Sequence, residues 1–304
     1  MTLELRRLGS TGLEVTVIGF GALEIGRDWG IGNEDERKRP SEEEAIRVLH
    51  GVLDEGINLI DTARAYHRSE ERIGKALAGR RREFILASKC GEHSQEPDTY
   101  YDFTYEAVRD SIDLSLRLLQ TNYIDIMQIH FGPDPARVLA TGETLRAMRE
   151  AQDAGKIGFL GASPPLEIID ACIESGHFDV IQVDYNLLDR SAEPLIEKAA
   201  ERGIGVLVRS PFARGALTPK ILQSNDPDLR AAVEPLLNLV GGDATRLPAL
   251  ALAFLHSNPA VSSILVGSKR LEHIRANIQA LHSGVDPGLL DEAVRVTEAS
   301  ASSA

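Results

Sequence analysis

Short apolar runs alternate along this chain with longer stretches whose apolar residues recur every three or four positions. Eight runs read as buried strands: residues 17–20, 57–60, 84–87, 124–129, 157–160, 180–183, 205–208 and 263–266. Each is rich in Ile, Val or Leu and bounded by glycine or polar residues, the pattern of strands covered on both faces. Between them, residues 42–54, 70–78, 105–119, 143–153, 166–174 and 192–201 carry helical spacing, and 228–256 has room for two helices. Strand and helix in strict alternation predict parallel strands joined by crossover helices. Eight repeats in 304 residues fit a closed barrel better than an open sheet, so the expected fold class is α/β, a (β/α)8 TIM barrel. "RRLGSTGLEV" reads as an N-terminal β-hairpin turning at Ser10-Thr11-Gly12. Residues 32–40, "GNEDERKRP", read as a charged loop and "ASASSA" at the end as a frayed tail. With no Pro/Gly/Ser-rich linker to divide the chain, residues 1–304 are expected to form one domain.

Composition narrows the choice of function. A hydrophobic content of 43% supports a large core, and 33 basic against 46 acidic residues give a net charge of −13. No local basic patch offsets that charge, which argues against a nucleic-acid or anionic-membrane partner. Cys90 and Cys172 are the only cysteines; they are too few for a disulfide scaffold, and neither belongs to a set with metal-ligand spacing. No metal site is expected. The opening "MTLELRRLGSTG" lacks a signal-peptide core, and no apolar run approaches the roughly 18 residues of a membrane span. A soluble, cytoplasmic protein follows as the expectation, a monomer or weak homo-oligomer since no apolar stripe argues for obligate assembly.

Candidate chemistry sits where a barrel would gather it, at the C-terminal ends of the strands. In "GINLIDTARAYHRSEERIGKALAGR" an apolar run ends on Asp61, Tyr66 and His67 follow on a loop, and Ser69 is positioned to cap the next helix. Lys89 ends the run "FILASK", and His130 ends "IDIMQIH". An ammonium at a buried strand end needs a carboxylate, and Asp61 on the neighbouring strand is the natural partner. Such a lysine favours ionisation of a nearby phenol, making Tyr66 a proton donor or acceptor near neutral pH. Alone, an Asp before Thr reads as a cap and a strand-end His as a satisfied core residue; in register together, the four read as a catalytic set. Trp29, in the long loop after the first strand, either walls a substrate pocket or anchors that loop.

"LIDTARAY" with "SEERIGKAL", "LASKCG" and "LRLLQTNYIDIMQIH" resemble the aldo-keto reductases, and the likeness runs from "LRRLGSTGLEVTVIGFGA" to "VGSKRLEHIRANIQAL". The resemblance implies NAD(P)-dependent interconversion of aldehydes, ketones or sugars with alcohols. It implies Tyr66 as general acid, Lys89 and Asp61 as the pair that lowers its pKa, and His130 on the substrate carbonyl. It places the nicotinamide carboxamide on Ser163 and Gln182. Arg209 stands where many members stack a tyrosine on the nicotinamide ring and either stacks there or reaches the pyrophosphate; the pyrophosphate and adenosine phosphate fall to Ser210, Pro211, Phe212, Gly215 and Leu217, with Gly267, Ser268 and Lys269. His273 and Asn277 fall beside the adenosine. Lys269 and Arg270 favour NADP(H) over NAD(H) through a 2′-phosphate, and no GxGxxG fingerprint supports a Rossmann domain.

Three departures from the family pattern stand out. Pro164 replaces the asparagine usual after Ser163, His67 replaces the glycine usual after the tyrosine, and His273 and Ala276 replace an arginine or glutamine and a glutamate. His67, Trp29 and Phe131 are the candidates to touch a small-molecule carbonyl or alcohol substrate. Two other readings stay open on the same residues: a cofactor-sensing regulatory subunit with little turnover, as some family members are, and a lyase or isomerase using Lys89 as a Schiff base.

Overall fold

A computed structural model of the chain describes residues 2–30 and 34–301. Eight parallel strands close into a barrel: β3 (Ile18–Gly21), β4 (Leu59–Asp61), β5 (Ile85–Cys90), β8 (Ile124–His130), β9 (Ile157–Ser163), β10 (Val180–Asp184), β11 (Gly205–Arg209) and β12 (Ser263–Gly267). Each pairs with the next in chain order, and β12 pairs with β3 to close the ring. Crossover helices surround it, among them Glu42–Asp54, Ser69–Leu77, Tyr105–Leu118, Glu143–Asp153, Leu166–Glu174 and Glu193–Glu201. The 228–256 stretch resolves into two helices, Pro227–Leu239 and Leu247–Ser257.

The observed strands run further toward their C-terminal ends than the apolar runs do. β5 continues through Ser88 and Lys89 to Cys90, and β9 through Gly161 and Ala162 to Ser163. The strands keep the ladder here because Lys89 and Ser163 meet Asp61 and Arg209 in the site while Ser88 donates to Glu70 on the surrounding helix and Cys90 and Ala162 pack in the main core, so hydrophobicity alone ends the strands early. β4 starts later than expected because Asn58 is taken up by side-chain bonding: its Oδ1 accepts from Thr16 N at 2.7 Å and its N–H donates to Thr16 Oγ1 at 3.1 Å.

The N-terminal hairpin, β1 (Leu5–Arg7) and β2 (Glu14–Thr16), closes the bottom of the barrel. Leu8 and Val15 pack there under Leu59, Ala87, Ile126, Val180 and Leu207. Gly9, at φ 54°, lies so close to the start of β11 that a Cβ would fall 2.3 Å from Gly205 N. With that end plugged, the C-terminal rim is the open face.

Several expectations need correction. Ser69 is the first helical residue, not the cap: Arg68 occupies the cap position, while Ser69 Oγ donates to Ala22 O at 2.8 Å and lies 2.8 Å from Thr62 Oγ1. Its hydroxyl ties the Tyr66 loop to the end of β3 instead of serving its own helix. Of the charged loop, residues 32 and 33 lie outside the described residues, and Glu34–Arg37 forms a helical turn. The first three residues of "ASASSA" belong to a helix, Pro287–Ala301, that packs on Pro227–Leu239, and 302–304 lie outside the described residues. A second hairpin, β6 (Glu92–Gln95) with β7 (Asp98–Tyr101), has no counterpart among the expected elements.

Candidate active site

The upper ends of β4, β5, β8 and β10 bring Asp61, Lys89, Gln128 and Gln182 into one buried cluster. Lys89 Nζ, 1% exposed, donates to Asp61 Oδ2 at 2.5 Å, to Thr62 O at 3.0 Å and to Tyr66 Oη at 3.3 Å. Asp61, 3% exposed, also accepts from Gln128 Nε2 at 2.9 Å and Gln182 Nε2 at 2.8 Å. Burial works against the charge on Lys89, but Asp61 and Tyr66 beside it outweigh burial and raise its pKa. The ammonium stays.

Tyr66 differs from the sequence expectation in its electrostatics. Burial raises the phenol above its ordinary value, and Lys89 opposes this only in part, with Asp61 adding to the rise. In the ligand-free protein the hydroxyl therefore keeps its proton at neutral pH and is poised as a donor. Gly26 sets its loop: a Cβ there would fall 2.2 Å from Tyr66 O and 2.4 Å from Ser69 N. The loop rests directly on that backbone.

His130 ends β8 with its ring edge-on to Tyr66, centroids 6.1 Å apart. Its Nδ1 lies 2.8 Å from Glu92 Oε2 as an ion-pair contact, without a hydrogen bond to any described residue. Burial lowers the His130 pKa, with Lys89 and Arg209 adding to the effect and Glu92 opposing it. Burial works to raise Glu92, but His130 and Thr99, whose Oγ1 donates at 2.7 Å, hold it at about 2. Asp61, Tyr66, Lys89 and His130 thus converge in one site.

The expected substrate contacts are spread more widely. His67, at φ 47°, has both ring nitrogens engaged by the β6–β7 hairpin: Nδ1 lies 2.7 Å from Ser94 Oγ and Nε2 3.2 Å from Pro97 O. Trp29 is 43% exposed, with the Arg27 guanidinium 5.9 Å from its ring, while Phe131 is buried in the main core.

On the other side of the rim, Arg209 bridges two strand ends: Nε donates to Asp184 Oδ2 at 3.0 Å and Nη1 to Ser163 Oγ at 2.5 Å. Ser163 and Gln182 are buried and adjacent, 3.5 Å apart. Beyond them come Ser210, at φ 55°, buried Pro211, Phe212, and Gly215 and Leu217. Gly267 ends β12; Ser268 Oγ accepts from Arg270 N at 3.1 Å and lies 3.2 Å from His273 Nδ1; Asn277 is buried on the helix Leu271–Ser283. Lys269, expected to meet a phosphate, donates instead to Glu36 O and Lys38 O, both at 2.6 Å.

The rim fits a dinucleotide. Among the described residues Gln128 Oε1 is buried without a hydrogen-bond partner, and the hydrogen bond to Gln182 Oε1 is long, so acceptors remain for an amide. Arg209, Arg214, Lys220, Lys269 and Arg270 also gather cationic charge on this side of an acidic protein. A cleft of about 1040 Å³ lies at the other end of the barrel among Arg81, Arg82, Arg117 and Tyr123, and none of the four central residues lines it. Among the described residues no His, Cys, Asp and Glu cluster could hold a metal, and no helix is long and apolar enough to cross a membrane.

Residues 17–288 match the model of the Aldo/keto reductase family. The chain belongs to that family. L-galactose dehydrogenase of Arabidopsis thaliana is 31% identical over 314 residues, covering 97% of this chain and 95% of the relative. The NADH-specific methylglyoxal reductase of Escherichia coli is 29% identical over 325 residues, covering 96% and 98%. An aldo-keto reductase from Bacillus halodurans, solved in its holo form, superposes with a TM-score of 0.81 at 29% identity, covering 97% of this chain and 96% of that one. As an aldo-keto reductase this chain is an NAD(P)-dependent oxidoreductase of small-molecule carbonyl compounds.

Glu92 and Gly26 contribute to this site without having been expected there, and Gln128, expected only as a strand-end residue, proves to be a donor to Asp61. For Glu92 a signal was present: "EHSQEPDTYY" places Pro-Asp between two polar runs, a turn at the mouth of the third strand.

Proposed function

We propose that this protein interconverts a hydroxylated carbonyl compound, an aldose above all, and its alcohol or lactone counterpart, with Tyr66 as the general acid. The observation that carries this reading is the buried Asp61–Lys89–Tyr66 chain, 2.5 and 3.3 Å in its two links, with the His130 ring edge-on to Tyr66. A bound nicotinamide dinucleotide supplies or accepts the hydride. Tyr66 holds its proton at Oη until an oxygen gathers negative charge; Lys89 then stabilises the phenolate left behind, and Asp61 holds Lys89 in place. Ser163, Gln182 and Arg209 are the residues that would hold the nicotinamide end. Ser210, Pro211, Phe212, Gly215, Leu217, Gly267, Ser268, His273 and Asn277 would hold the rest. NADP(H) is favoured over NAD(H), with exposed Arg270 rather than Lys269 as the 2′-phosphate contact, because Lys269 is committed to two carbonyl groups. Support for a sugar comes from the polar and aromatic rim, Arg27, Trp29, Glu92 and Tyr101, and from the L-galactose dehydrogenase relative.

The test is turnover of a panel of aldoses and simple aldehydes with both cofactors, in wild type and Tyr66→Phe. A loss of about 10²- to 10⁴-fold with cofactor binding intact supports the assignment. Tight cofactor binding without turnover in the wild type points to the sensing-subunit reading.

A further inference from the structure

Glu70 is wholly buried at the start of the helix Ser69–Leu77, and both of its carboxylate oxygens are taken. Oε1 accepts from Ser88 Oγ at 2.7 Å, and Oε2 accepts from Arg64 Nη1 at 3.2 Å, with the Arg64 side chain only 11% exposed. A first-turn glutamate that served its helix alone could face solvent. This one is turned against the barrel wall, where a carboxylate is costly to bury unless it is paired and hydrogen-bonded. Its two partners flank the reacting pair. Ser88 precedes Lys89 on β5, its side chain directed outward to the helix where that of Lys89 is directed inward to Asp61. Arg64 lies two residues before Tyr66 on the loop after β4, and its backbone N–H donates to Lys89 O at 3.3 Å.

We propose that Glu70 is a positioning residue for the reaction: by tying Ser88 to Arg64 it holds the strand that carries Lys89 and the loop that carries Tyr66 in register, so that Nζ and Oη stay within reach. This rests on the proposed function and deepens it. The contact it guards is the long link of the buried chain, 3.3 Å against 2.5 Å for Lys89 to Asp61. Lys89 keeps Asp61 and Thr62 O as partners whatever the phenol does, so a loop that drifts away leaves the ammonium in place and loses only the phenol. The Ser69 hydroxyl and the close approach of Gly26 fix the loop against the ends of β3 and β4. Glu70 supplies the side-chain tie to β5.

The test reads the phenol directly. The protein is labelled with fluorotyrosine, whose lowered pKa brings the titration into a range where the fold persists, and Tyr66 is followed by fluorine NMR, assigned through Tyr66→Phe. Lys89 opposes the rise that burial imposes on Tyr66, so losing that contact raises the phenol further. Ser88→Ala and Arg64→Met each remove one tie. Both are expected to raise the pH at which Tyr66 titrates by about one unit, the worth of one hydrogen bond, and to lower kcat about tenfold with cofactor affinity within about threefold of wild type. Ile196→Val, a buried change on the helix Glu193–Glu201, controls for general destabilisation and is expected to leave the phenol unmoved. An unmoved phenol in Ser88→Ala overturns the proposal, as does an equal shift in Ile196→Val. Ser88→Ala keeps the Arg64–Glu70 ion pair, so it is decisive even where Arg64→Met fails to fold. A phenol that shifts as expected in a protein that turns over no carbonyl or alcohol refutes the proposed function and leaves the Glu70 tie standing.

Discussion

Lys89→Met isolates the energetics of the buried pair. At 2.5 Å the two charges attract by about 7 kcal/mol at an effective dielectric of about 20, and their desolvation offsets much of this. Removing the lysine leaves the Asp61 carboxylate buried with only the Gln128 and Gln182 amides. Loss of one partner from a buried pair costs about 3–5 kcal/mol, and the two remaining donors keep the expected loss near the lower end. The companion Lys89→Met with Asp61→Asn removes both charges and is expected to recover most of that loss. Urea unfolding followed by circular dichroism, without added cofactor since ligand binding stabilises the native state, measures each variant. Because the folded pKa of Lys89 is raised above 10.5, its stabilisation is fully present below that pH and is lost only as pH climbs through the folded value. A Lys89→Met protein within about 1 kcal/mol of wild type, or a double variant less stable than the single one, would refute the reasoning.

Other outcomes follow from neighbouring residues. Gly26→Ala is expected to displace the Tyr66 loop, costing about 1–3 kcal/mol by overpacking and lowering kcat more than a surface substitution of equal stability cost; unchanged kcat would show that the loop does not rest on that contact. Glu92 titrates at about 2 when folded against an ordinary 4.5, so it adds stability above 4.5 that fades as pH falls toward 2. Acid unfolding of Glu92→Gln should lack that component, up to about 3 kcal/mol, and identical acid profiles would contradict it. Arg270→Ala is expected to weaken NADPH about tenfold with little change for NADH, read by cofactor fluorescence, and equal loss for both would remove the 2′-phosphate assignment.

Much of the barrel was legible because buried parallel strands are nearly continuous apolar runs, and all eight lay where those runs lie. What hydrophobicity cannot show is where a strand continues through functional residues. β5 and β9 extend to Cys90 and Ser163 because Lys89 and Ser163 meet Asp61 and Arg209 in the site while Ser88 donates to Glu70 on the surrounding helix, so none of them faces solvent. The four central residues were readable since each ends or follows an apolar run. The tyrosine's proton state was not, because it depends on how deeply the folded loop buries the ring beside Lys89. Ser69 shows the same limit: its position next to two glutamates reads as a cap, while its hydroxyl is drawn to Ala22 O, a contact 47 residues away in sequence. Lys269, a plausible phosphate ligand by sequence, is drawn into carbonyl contacts with the 34–38 segment for a similar long-range reason.

The most direct test of the account is the nicotinamide absorbance change with aldose and aldehyde substrates in wild type and Tyr66→Phe, with cofactor affinity measured on the same preparations. Turnover is expected in the wild type, with a fall of about 10²- to 10⁴-fold in the variant and cofactor affinity within about threefold of wild type. Equal turnover in the two proteins would contradict it.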